Sequence, residues 1–187
     1  MARAEIIDRI LAVVDRALVT QSDVLGAIRL GLVQDASIAA ALDRLIERQL
    51  VLSEVDRYAP PEPPDAQVDR KVSELRSAAA SPSEFDRALV ETGASIERLR
   101  RHVRDDLRIE AYLQQRFGSP VQPSEEEVLQ YYRDHSAQFS RAGAVRSYAD
   151  AHDDARAALI AERRAETIAE WIAGLRRRAN VNVLPTT

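Results

Sequence analysis

The sequence predicts a mainly α protein, a multi-helix fold with a small β-sheet formed by the N-terminal hairpin and the C-terminal strand. Three observations predict it. Apolar residues recur at three- and four-residue steps through most of the 187-residue chain, the period of a buried helical face. Ser or Thr followed three positions later by an acid marks successive helix starts. The strongly β-prone runs are confined to the two ends, Ile10 to Thr20 and Ala179 to Leu184.

Taken in order, Ile10-Leu11-Ala12-Val13-Val14 and Ala17-Leu18-Val19-Thr20 flank Asp15-Arg16 and read as a hairpin. Thr20 and Asp23 have capping-box spacing, so a helix starts near Gln21. Val24, Ile28 and Leu32 form its apolar stripe, while Gly26 and Gly31 weaken it and permit close contact or an early end. A second helix runs from Ile38 to about Tyr58, with Leu42, Leu45, Ile46, Gln49, Leu52 and Val55 on one side. Ala59-Pro60-Pro61-Glu62-Pro63-Pro64 stops it, because successive prolines remove donors and fix φ.

A third helix is expected over Asp65 to Ala80 on Val68, Val72 and Leu75. Ser81-Pro82-Ser83-Glu84 opens a short fourth, with Phe85, Leu89 and Val90 inward and Gly93 at its end. Ser95 caps a fifth, carrying Ile96, Leu99, Val103, Leu107, Leu113 and Phe117, and Gly118-Ser119-Pro120 breaks it. Ser124-Glu125-Glu126-Glu127 is another capping box, ahead of Val128, Tyr131, Tyr132 and Phe139. Periodicity fades between Ser140 and Asp154, which reads as a loop around Gly143. The last helix is expected from Ala155 to Arg178 on Ile160, Ile168, Trp171, Ile172 and Leu175. Alternation in Ala179-Asn180-Val181-Asn182-Val183-Leu184 then predicts a half-buried strand. Its buried N–H and C=O groups need partners, and the N-terminal hairpin is the available β-prone partner, so the chain ends should meet in one sheet.

Composition excludes several functions. Aromatic residues are 5% of the chain and hydrophobic residues 45%, so the core is built from Ala, Leu, Ile and Val. The absence of Cys removes zinc fingers, thiol redox centres and disulfide frameworks. A net charge of −4 gives no general attraction to nucleic acid, and Arg176-Arg177-Arg178 is explained by the negative end of the last helix. No apolar run reaches the ~18 residues of a membrane span, so no stable membrane insertion is expected. Met1-Ala2-Arg3-Ala4-Glu5 leads into a short stretch interrupted by Asp8 and Arg9, which is not a signal peptide.

No catalytic site is legible. His102, His135 and His152 lack ligand spacing, and His152-Asp153-Asp154 reads as a solvated loop end, so neither a metal nor a cofactor is expected. No Gly-x-Ser-x-Gly nucleophile motif is present. Glu125, Glu126 and Glu127 sit where a helix N-terminus favours acids. Trp171 reads as core. Tyr131 and Tyr132 point about 100° apart on a helix, one to the core and the other to solvent or a ligand.

The order of elements resembles a known family, the SurA-type periplasmic chaperones and related secreted parvulin-like foldases. The resemblance rests on Ile7-Asp8-Arg9-Ile10-Leu11-Ala12-Val13-Val14 running to Ser22-Asp23-Val24, and on Leu42-Asp43-Arg44-Leu45-Ile46 to Leu52. It continues from Phe85 through Gly93 to Leu113, and from Trp171-Ile172-Ala173-Gly174-Leu175-Arg176-Arg177 into Val181-Asn182-Val183-Leu184. It implies one chaperone core domain over 1–187, with a helical arm at about 60–122. The parvulin prolyl-isomerase domain that the family inserts after the Tyr-Tyr helix is missing near 140–154, so no isomerase activity is carried over.

The resemblance implies an ATP-independent holdase, not an enzyme, that binds unfolded secreted or outer-membrane polypeptides through an apolar groove. It also implies a periplasmic or otherwise secreted location, although no signal peptide is present in this chain, which fits either a cytosolic protein or one whose signal was removed. The residues expected at the groove are Val24, Ile28, Leu32, Tyr131, Tyr132 and Phe139. For Val24, Ile28 and Leu32 the competing reading is core or a dimer contact, and for Tyr131, Tyr132 and Phe139 it is ordinary core. An alternative function is a structural or assembly protein that docks one dedicated partner or dimerises through the same fold. The terminal helix and strand follow a loop, so a homodimer with a swapped C-terminal helix and strand is a further expectation.

Overall fold

The structure, a computed structural model, describes residues 8–34, 37–119, 121–141 and 143–185. The readings made on Met1 to Glu5, on Ile7 and on Pro120 lie outside these residues. The internal contacts of the chain group it into two compact units, Met1–Tyr112 with Ile172–Thr187, and Leu113–Trp171.

In the first unit, β1 (Ile10–Val14) and β2 (Ala17–Thr20) form the expected antiparallel hairpin, with Val13 opposite Leu18 and Val14 opposite Ala17. Asp15 makes the turn at φ 52°, a left-handed conformation that Asp tolerates better than most residues. The C-terminal strand β5 (Val181–Val183) pairs antiparallel with β1, giving the order β2-β1-β5. The two ends of the chain therefore do meet in one sheet. The ladder is closed by Asp15 N–H donating to the Asn180 carbonyl at 2.8 Å and Leu184 N–H to the Leu11 carbonyl at 2.9 Å. In β5 and just after it Val181 and Leu184 are half-buried, while Asn182 and Val183 are exposed.

Helix α1 (Gln21–Arg29) starts at the Thr20 capping box, where Asp23 N–H donates to Thr20 Oγ1 at 3.3 Å and Thr20 N–H to the Asp23 carboxylate at 3.0 Å. Thr20→Ala leaves the Asp23 N–H to water and is expected to cost about 1 kcal/mol in a denaturant melt. No change in midpoint would show that β2 alone sets this helix start. Helix α2 (Ile38–Tyr58) packs on α1, β1 and β2. Its buried face is Ala41, Leu42, Leu45, Ile46, Leu50, Val51 and Val55. Expectation placed Gln49 and Leu52 there, but both keep exposed surface. The face is wider than a three-four ladder because α2 meets both a sheet and a helix.

Helices α3 (Asp65–Ala78), α4 (Pro82–Glu91) and α5 (Ile96–Phe117) follow. Leu30, Val68, Phe85, Leu89, Leu99 and Val103 form one buried cluster among them. Val90, expected inward, is 81% exposed, because Phe85 and Leu89 already fill the single face that this ten-residue helix buries. Gly93 at φ +64° closes α4, and Ala94 N–H reaches back to the Leu89 carbonyl at 3.0 Å, a Schellman ending. Tyr112, not expected inward, is buried and lies 5.6 Å from the Tyr58 ring.

In the second unit, α6 (Glu125–Asp134) starts at the Ser124 capping box and leads through a 3-10 turn, Ser136–Phe139, into a two-residue hairpin, β3 (Ser140–Arg141) and β4 (Ala144–Val145). The last helix, α7 (Tyr148–Arg178), begins seven residues before the expected Ala155. Ser147 Oγ accepts from Asp150 N–H at 3.3 Å, the same Ser-x-x-Asp signal seen elsewhere. The added turns pack through Ala151 and Ala155, both with no exposed surface, alongside Val128, Tyr131, Phe139 and Leu159. Alanine carries too little hydrophobic contrast to reveal this face by periodicity.

Two ion-pair groups tie α6 to α7. Arg163 donates to Glu127 at 2.6 Å, and together with Ser124 it holds the Glu127 carboxyl at about 2. His152 Nε2 meets Glu125 at 2.8 Å while its Nδ1 meets Asp153 at 2.8 Å, which lowers the Glu125 pKa and raises that of His152. The depressed carboxylates contribute stability above their ordinary value of 4.5, and it is lost as pH falls towards 2. The raised imidazole contributes fully below 6.5, and its share is lost as pH rises through the elevated pKa. Stability of this unit is therefore expected to be greatest between these two values. In a pH series of thermal melts, Glu127→Gln should flatten the acid limb alone; an unchanged limb would contradict the pairing.

Candidate functional site

A cleft of about 250 Å³ with a mixed apolar and polar lining opens in the first unit. Its walls come from Leu18 and Val19 of β2, Gly26, Ala27 and Leu30 of α1, Leu45 and Gln49 of α2, the Thr92 to Ala94 turn, and Leu99 of α5. Gly26 of α1 faces Thr92, where a Cβ on Gly26 would meet Thr92 Cβ at 3.7 Å, an ordinary contact. Thr92 is buried and satisfies its hydroxyl on the Ala88 carbonyl at 2.7 Å.

The polar groups of the cleft are held in pairs. Arg98 of α5 donates to Asp23 of α1 at 2.8 Å. Arg48 of α2 donates through Nε to Asp106 at 2.6 Å and through Nη2 to the His102 carbonyl at 3.0 Å. His102 Nε2 lies 3.3 Å from the other Asp106 oxygen. Burial pushes the Asp106 carboxyl up, but hydrogen bonds from His102 and the charge of Arg48 outweigh it and leave its pKa below the ordinary value.

This chemistry suits binding better than reaction. The hydroxyl of Ser22, on the cleft wall, bonds to Asp8, and the imidazole of His102 is turned to Asp106. The guanidinium groups are neutralised by carboxylates, which leaves apolar walls and a satisfied polar floor. Among the described residues, no group of three or more His, Asp or Glu is placed to hold a metal, and no helix is long and apolar enough to cross a membrane.

The expected groove residues are divided between the two units. Leu32 lines the cleft, Ile28 is half-buried, and Val24 has no exposed surface. Tyr131 and Phe139 are buried in the second unit, where Tyr131 stacks on His135 at 4.2 Å. Tyr132 keeps some exposure and donates its hydroxyl to the Arg146 carbonyl. Trp171 is half-buried, 5.5 Å from the Phe117 ring with Arg116 5.4 Å above it. The residues that sequence reasoning missed at the cleft include Leu18, Gly26, Ala27, Arg48, Thr92 and Arg98. The one local signal for them was the weakening glycine in α1.

The sheet that joins the chain ends, together with the order of helices along the chain, is a fold also found among solved structures. A solved chain from the virulence factor PEB4 and the periplasmic protein Cj1289, two structurally related SurA-like chaperones of Campylobacter jejuni, shares this fold. It matches with a TM-score of 0.61 at 13% identity, over 96% of this chain and 100% of that one. No family model and no curated protein sequence matches the chain.

Proposed function

We propose that this protein is an ATP-independent holdase for unfolded secreted or outer-membrane polypeptides, acting in the periplasm or another secreted compartment. The observation that carries the reading is the fold shared with a SurA-like chaperone over 96% of the chain. The cleft supports it, because apolar walls over a neutralised floor suit adaptable contacts with clients that share hydrophobicity more than sequence. Among the residues proposed to serve clients, Leu32 contributes to the cleft, Ile28 and Tyr132 offer partial exposure, and Val24, Tyr131 and Phe139 back those surfaces from the core.

The non-enzymatic reading is supported by the short connection between α6 and α7, a 3-10 turn and a two-residue hairpin where the family inserts its isomerase domain. A swapped homodimer remains part of the proposal, since β5 could pair with a second copy's β1; mass that rises with concentration would support it.

The test is suppression of aggregation of a chemically denatured, diluted client, without nucleotide, at near-stoichiometric chaperone. Holding of several unrelated clients is the expected result. Indifference to generic unfolded chains, with one tight partner instead, would replace this reading by that of a dedicated assembly protein.

A further inference from the structure

We infer that the cleft and the free edge of β2 form one site that takes an extended peptide by strand addition, with an apolar side chain of the peptide entering the cleft beside Leu18. This inference rests on the holdase reading and specifies what part of a client that site recognises.

The hydrogen-bond parity of the sheet fixes which backbone groups point outward. Asp15 N–H and the Leu11 carbonyl both bond towards β5, so the odd residues of β1 face β5 and the even ones face β2. Ala12 and Val14 therefore bond Val19 and Ala17, and the N–H and carbonyl of Leu18, opposite Val13, point away from β1. No described residue hydrogen-bonds either group. β2 is the outer strand of the sheet and Leu18 is 54% exposed. An extended chain lying along β2 would satisfy this donor and acceptor, which is how strand addition supplies affinity independent of side-chain identity.

The cleft supplies the second half of the recognition. Leu18 and Val19 form one of its walls, so the edge and the cavity are continuous. A volume of about 250 Å³ falls below the range of sites for small molecules and cofactors and suits one or two side chains. Leu30, Leu45 and Leu99 offer apolar contact, and the paired Arg98–Asp23 and Arg48–Asp106 groups present no unbalanced charge to select an ionic ligand. The occupant is thus an uncharged, β-prone segment of unfolded polypeptide.

Two substitutions and a modified peptide separate the halves. Leu18→Pro removes the outward donor, at an edge position where proline is tolerated, and with it the Leu18 side chain on the cleft wall, so N-methylation of the peptide is the test of the edge alone. Gly26→Ala adds a methyl group to the cleft at ordinary contact distance from Thr92, while raising helix propensity in α1. The probe is a fluorescently labelled, unstructured hexapeptide alternating Val and Thr, with a second version N-methylated on alternate amides, read by anisotropy against the whole protein. Binding of the first peptide, weakened about tenfold or more by Leu18→Pro or by N-methylation, is expected. Gly26→Ala should weaken binding while holding or raising the thermal midpoint, which excludes misfolding as the cause.

Equal binding of both peptides, or wild-type affinity in both variants, overturns the inference. Aggregation suppression measured on the same samples keeps the two levels apart. Suppression retained in both variants places client binding elsewhere and sinks only the strand-addition site, whereas no suppression by the wild type sinks the holdase reading itself.

Discussion

Removing residues 180–187 is expected to destabilise the first unit by about 3 kcal/mol or more, at roughly 1 kcal/mol for each lost intramolecular hydrogen bond. β1 is the middle strand, so the truncation strips one whole side of its ladder. The bonds lost include Asp15 N–H to Asn180, Leu184 N–H to Leu11, and the pairing of Val13 with Asn182, together with the Asn180 N–H bond to the Asp15 carboxylate at 2.9 Å. A urea melt of the truncated and full chains measures the difference. A finer version is Asn182→Pro, which deletes the one β5 donor that faces Val13 and leaves an exposed side-chain position otherwise unchanged. A midpoint within error of the wild type in both variants would mean that β5 docks without contributing to the fold.

Ile46→Ala is expected to cost between about 2 and 5 kcal/mol, the range for truncating a fully buried Ile. Ile46 has no exposed surface and stands in the middle of α2, the helix that contacts β1, β2 and α1 together. Its cavity would have rigid walls on several sides, so relaxation is limited and the upper half of the range is favoured. Val90→Ala provides the contrast: that residue is 81% exposed, and its loss should fall within about 0.5 kcal/mol of neutral. Comparable losses at the two positions would show that burial does not rank the apolar residues of this chain.

Helix starts were the most legible features, because a cap is a local device. Thr20 with Asp23, Ser81 with Pro82, and Ser124 with Glu127 each place their helix correctly, since donor and acceptor lie within four residues. The same reasoning was available at Ser147 and Asp150 and was obscured by an alanine-rich turn without contrast. Faces were less legible than starts. Leu50 and Val51 join the buried side of α2 while Leu52 does not, and Tyr112 turns inward to Tyr58. In each case a partner remote in sequence decides the outcome.

The candidate site was the least legible part. Arg48 and Asp106 are 58 residues apart, and Arg98 and Asp23 are 75 apart, so no spacing rule pairs them. Apolar periodicity pointed to Val24 on α1, yet that residue is fully buried, and the residues lining the cleft include Gly26 and Ala27 of α1 and Leu30 at its C-cap.

By itself the sequence determined the helical class, the capped element order and the need for the end strands to find each other, because propensities, caps and unpaired strand groups act over short range or admit few solutions. The tertiary structure alone decided which side of each helix is covered, where α7 begins, which charges meet, and that an outward-facing Leu18 backbone borders a cavity. Those depend on distances between segments far apart along the chain, which packing sets and local chemistry does not.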